Sequence, residues 1–259
     1  MSTENKEFYD LLNSIANDQT FSLDLCPREE NQKVLCKQLS TAQLKELIKT
    51  VVDSPLTQSA FNSAVTKTFK DSLVSLPEFS LNIIDRLLFI LETRIQSLSP
   101  TTTVKIEDKT IEVNFEEIVS KLKRELQAHK ELFADSSATE GKITATFGVA
   151  LLNTEAQLNE EIYKNINVNV EDAEELRKVL GDAFINEIAK AVQTLTIEDK
   201  TLDLSTVTFK SRLKTIESLP ASLIQKVIGY IENYKKIVDD CLTVDGHTVT
   251  IDGSLFSLR

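Results

Sequence analysis

The sequence predicts an α+β fold that is predominantly helical, built from helical layers with short β-hairpins. Apolar residues recur at helical spacing in several segments, most clearly over 81–98. Three short units with an acidic centre, each flanked by alternating apolar residues, are typical of tight hairpins. These units lie near 103–113, 194–204 and 241–251.

The individual elements follow from local signals along the chain. A helix is predicted over 4–17, followed by two extended segments, "TFSLDL" and "QKVLCKQL". The next helix begins at Ser40 or Thr41, either of which can accept a hydrogen bond from a free first-turn amide. A second amphipathic helix precedes the 81–98 helix, and Pro100 marks the end of the latter. A hairpin and a charged helix over 115–133 complete this part.

The segment "ADSSATEGK", 134–142, is small, polar and glycine-containing, and therefore predicts a linker. It would separate a helical domain over 1–135, with one hairpin, from a helical domain over 142–259, with two hairpins. Past the linker the predicted order of elements starts again, which indicates two similar halves from an internal duplication. Two unrelated helical stretches with common spacing are the alternative, and the hairpin near 194–204 has no counterpart in the first half.

Composition limits the possible functions. The chain has 259 residues, 41% of them hydrophobic, which is enough for a substantial core. A net charge of −11 argues against nucleic-acid backbone binding. Three cysteines do not suggest a disulfide framework and fit a reducing compartment. No apolar run approaches the roughly 20 residues of a membrane span, and the N-terminus does not resemble a secretion signal, so we expect a soluble intracellular protein.

The patterns expected of common catalytic and metal sites are missing from the sequence. There is no glycine-rich phosphate loop and no G-x-S-x-G motif. The cysteines and the two histidines are not spaced as zinc ligands. The Asp-Gly pairs near the C-terminus lack a calcium-binding ladder and fit hairpin turns. We therefore expect no catalytic residue, metal ligand or cofactor, and a protein that is not an enzyme.

Two segments carry a resemblance to a known family. They are "KVLCKQLSTAQLKELIKTVV", 33–52, and "LNIIDRLLFILETRIQSLSP", 81–100. Together they resemble the baseplate hub subunit and hub-assembly family of T-even-type contractile-tailed bacteriophages. The resemblance covers about residues 20–115, and "SLPASLIQKVIGYI" and "VTIDGSLF" further along are also similar to members of the family. The matching positions are Lys37, Leu39, Ser40, Asp85, Leu88, Arg94 and Ser97.

The resemblance implies a non-enzymatic protein that builds the tail baseplate, either as a hub component or as an assembly factor. Its expected partners are hub or tape-measure proteins, bound in stoichiometric amounts through amphipathic helices. Its expected location is the virion tail baseplate or the host cytoplasm during assembly. Lys37, Asp85 and Arg94 are the candidate partner-binding residues, and Asp85 also suits the positive end of a helix dipole.

Two other functions stay open at this point. One is an intracellular enzyme or ligand-binding protein with an unrecognised site, which a deep pocket with convergent polar groups would favour. The other is a chaperone-like adaptor of the host. Self-association is left open by the sequence.

Overall fold

The computed structural model describes residues 19–28, 32–53, 57–106, 109–165 and 173–256. The helix predicted over 4–17 lies outside the described residues. The helices of the described part are α1 Thr41–Asp53, α2 Thr57–Ser72, α3 Ile83–Ser97, α4 Phe115–Ala128, α5 Lys130–Phe133, α6 Leu152–Asn165, α7 Ala173–Ala191, α8 Phe209–Glu217 and α9 Ala221–Leu242. Two short 3₁₀ helices lie at Leu204–Thr206 and Gly253–Phe256.

All the strands of the described part pair in antiparallel fashion. They are β1 Thr20–Asp24, β2 Lys33–Lys37, β3 Thr101–Ile106, β4 Lys109–Asn114, β5 Ser136–Glu140, β6 Ile143–Phe147, β7 Val192–Ile197, β8 Lys200–Asp203, β9 Thr243–Val244 and β10 His247–Thr248. β5 to β8 form a four-stranded sheet in sequential order, and the other six strands form three two-stranded hairpins. The prediction of a mostly helical α+β fold with short hairpins is confirmed.

The predicted start of α1 is confirmed by its cap. The Gln43 backbone N–H donates to the Ser40 hydroxyl at 3.3 Å, and the Ser40 N–H donates to the Gln43 side-chain oxygen at 2.9 Å. This reciprocal pair satisfies two backbone donors at the start of the helix. The predicted end of α3 is also confirmed, since β3 begins directly after Pro100.

The three predicted hairpins are present as β3–β4, β7–β8 and β9–β10. Their acidic centres serve as turns where the structure describes them. Glu198 has φ of 56° and Asp245 has φ of 50°, conformations that short polar residues and glycine tolerate best. The tip of β3–β4, residues 107 and 108, lies outside the described residues.

The predicted linker over 134–142 is wrong, because it contains the strand β5. β5 pairs with β6 through a turn in which Gly141 has φ of +58°. The hydroxyls of Thr139 and Thr144 lie 2.9 Å apart across this hairpin. The corresponding threonines of β7–β8 and β9–β10 are 2.9 and 3.2 Å apart. A small polar strand with one solvated face has the composition of a linker, which explains the error.

The internal duplication is not supported by the order of elements. Residues 20–115 run from a hairpin through three helices to a second hairpin. Residues 142–256 contain an additional hairpin, β7–β8, and an additional helix, α8, between the second helix and the last one. The two halves therefore do not share an element order, and the prediction is wrong in that form.

The chain divides into two compact units that differ from the predicted domains 1–135 and 142–259. Unit 1 comprises 1–79, 84–125 and 239–259, and unit 2 comprises 80–83 and 126–238. The C-terminal segment belongs to unit 1 because its apolar side chains complete that unit's core. Val249, Leu255 and Phe256 are all buried.

Aromatic side chains mark the core of each unit. In unit 1, Phe89 of α3 stacks on Phe69 with ring centroids 4.5 Å apart, and on Phe21 of β1 at 6.5 Å. In unit 2, Tyr230 of α9 contacts Phe147 of β6 edge-to-face at 5.2 Å, and Tyr234 at 5.5 Å. The apolar stripes of α3 and α9 are thus used to fill the chain's own core.

Candidate interaction surface

Asp85 lies in the first turn of α3, as predicted, but its side chain is fully buried. Its carboxylate accepts a hydrogen bond from the Cys26 backbone N–H at 2.8 Å and pairs with the Arg28 guanidinium at 2.5 Å. The same guanidinium lies 4.7 Å from the centre of the Phe79 ring. Asp85 therefore connects α3 to the segment after β1, and it does not lie on a surface that a partner can reach.

Replacing Asp85 with asparagine is expected to lower the free energy of unfolding by about 1 to 3 kcal/mol. The amide oxygen can still accept from Cys26, but the charge opposite Arg28 is lost. Urea unfolding measures the loss. Asp71→Asn is the matched control, because Asp71 is an exposed aspartate of the neighbouring α2. Equal stability of the two variants would contradict the structural role of Asp85.

Arg94 lies in the last turn of α3 and is also buried, with 4% of its surface exposed. Its Nε donates to the Leu255 carbonyl at 2.6 Å, and its Nη1 donates to the Ser99 carbonyl. The guanidinium lies 5.4 Å from the centre of the Phe115 ring. Burial lowers the pKa of Arg94. Like Asp85, this residue holds its own chain together, which corrects its assignment as a partner-binding residue.

Lys37, the third candidate, is the one that remains on the surface. It lies at the end of β2, opposite Thr20 of β1, and is half-buried. Within the described residues, its ammonium group has no hydrogen bond or ion pair. Its role in partner binding stays a prediction.

Beside Lys37 the structure places an exposed apolar surface that the sequence analysis did not identify. The outward face of β2 carries Lys33, Leu35 and Lys37, and Leu35 is 45% exposed. The Val74 N–H donates to the Leu35 carbonyl at 3.0 Å, and Leu73 forms an isolated bridge with Cys36, so that Val74 lies beside Leu35 at the edge of β2. Val74 is 48% and Leu76 is 79% exposed. We call Lys33, Leu35, Lys37 and Val74 the outer patch.

One sequence signal for the outer patch was present in the segment "KVLCK". A strand with one solvated face alternates apolar and polar residues, whereas here Val34, Leu35 and Cys36 are consecutive. Val34 and Cys36 face the core, which leaves Leu35 on the opposite side. Val74 and Leu76 follow the end of α2, where helical spacing no longer predicts which side chains are buried.

The two lysines of the outer patch differ in whether an acidic side chain lies next to them. Lys33 forms an ion pair with Asp24 at 2.8 Å, and Lys123 of α4 reaches the same carboxylate at 3.0 Å. These two lysines hold the pKa of Asp24 below its ordinary value, with the Lys33 hydrogen bond as the largest cause. Lys33 therefore has a carboxylate partner, whereas Lys37 has none among the described residues.

Each unit contains a cleft that is lined by described residues. The cleft in unit 2, about 260 Å³, contains Thr208 and Arg212, and the cleft in unit 1, about 480 Å³, contains Asn114 and Lys121. One cationic side chain in each cleft is engaged in the fold. Arg212 donates to backbone carbonyls, and the Lys121 ammonium donates to the Asp240 carbonyl at 2.5 Å.

The cysteine and acidic side chains of the described residues form no metal-binding cluster of three or more ligands. Cys26, Cys36 and Cys241 are buried and form no disulfide bond. Burial raises the pKa of the Cys36 thiol to about 12, so that this thiol stays neutral at physiological pH. None of the described helices has the length and apolar character needed to cross a bilayer.

No family model matches the chain, and no curated protein or solved structure shows significant similarity to it.

Proposed function

We propose that this chain is a non-enzymatic baseplate hub subunit or hub assembly factor of a contractile-tailed bacteriophage. It acts by stoichiometric binding of hub or tape-measure proteins, in the virion tail baseplate or in the host cytoplasm during assembly. The observation that carries the proposal is the position of Lys37. This residue belongs to the segment that resembles the hub family, and it lies on the outward face of β2 with the exposed Leu35.

Two further features support a binding role. Exposed large apolar side chains are uncommon in the described residues, and two of them, Leu35 and Val74, are neighbours at the edge of β2. Three other positions of the resemblance have structural roles in this chain. Leu88 is fully buried, and Asp85 and Arg94 bond the two ends of α3 to their surroundings.

The binding surface in this proposal differs from the expected amphipathic helices. Among the helix side chains that the structure describes, one large apolar residue is exposed: Phe184 of α7, at 51%. The others lie on strands or on the segment after α2. We therefore assign partner binding to the outer patch.

The test is affinity purification of the tagged chain from cells infected by the phage that encodes it. Hub or tape-measure proteins should be recovered in near-equal molar amounts with the chain, as measured by quantitative mass spectrometry. Mass spectrometry of purified virions then separates a hub subunit, which stays in the particle, from an assembly factor, which does not. Recovery of no tail protein from infected cells would overturn the proposal, as would a gene located away from tail genes.

A further inference from the structure

We draw no further inference here: the strongest candidate, the surface patch at the edge strand β8 of unit 2 with the exposed side chains of Ile197 and Leu202, carries none, because nothing among the described residues shows what covers it.

Discussion

Replacing Arg212 with methionine is expected to lower the free energy of unfolding by about 3 to 5 kcal/mol. Arg212 lies on α8 with 5% of its surface exposed. Its guanidinium donates to the Ala189 carbonyl at 2.9 and 2.6 Å, to the Val192 carbonyl at 2.7 Å and to the Leu204 carbonyl at 3.0 Å. The three carbonyls belong to the last turn of α7, to the first residue of β7 and to the first residue of the 3₁₀ helix that follows β8.

The large effect follows from what the substitution leaves behind. Methionine fills much of the same volume but cannot donate a hydrogen bond, so three carbonyl oxygens lose a partner in the interior. Each buried group left without a partner costs about 1 to 3 kcal/mol. Burial also lowers the pKa of Arg212 to about 10, which indicates how far this cation is removed from water.

Urea unfolding of the variant and of two comparison proteins tests this role. Lys210→Met, which changes an exposed cation of the same helix, should leave stability within about 0.5 kcal/mol of the wild type. Arg212→Lys keeps a charge but reaches fewer carbonyls, so its stability should lie between those of wild type and Arg212→Met. If Arg212→Met and Lys210→Met are equally stable, the network does not hold unit 2 together.

The sequence predicted the elements whose signals are local. The cap at Ser40 and the regular apolar spacing of α3 act within a few residues, and both are found as expected. The strand β5 was missed because its serines and threonines face solvent on one side and carry little apolar signal. Its pairing partner, rather than its composition, makes it a strand.

The roles of single charged residues could not be predicted in the same way. The helix-dipole argument correctly placed Asp85 in the first turn of α3, but the family resemblance assigned Asp85 and Arg94 to partner binding. Their actual partners come from distant parts of the chain, with Cys26 and Leu255 at separations of 59 and 161 residues. Single-sequence patterns do not contain such long-range pairings, and for the same reason the predicted domain boundary failed to place the C-terminal segment in unit 1.

Replacing Phe256 with alanine is expected to lower the free energy of unfolding by about 3 to 5 kcal/mol, in spite of its position near the C-terminus. Phe256 is 1% exposed, and the 3₁₀ helix that contains it packs against α1. The adjoining carbonyls of Leu255 and Ile251 accept hydrogen bonds from Arg94 at 2.6 Å and from Gln58 at 3.2 Å. The cavity left by the ring would loosen these attachments as well.

The prediction also states which elements should lose protection from hydrogen exchange. Because 239–259 belongs to unit 1, hydrogen exchange should speed up in α1 and α3, far away in sequence. The sheet of β5 to β8, in unit 2, should keep its protection under conditions that only partly unfold the chain. Ser254→Ala is the control, because Ser254 is an exposed residue of the same 3₁₀ helix. Faster exchange confined to the last residues would mean that unit 1 folds without them, whereas faster exchange in α1 would show that its core requires the end of the chain.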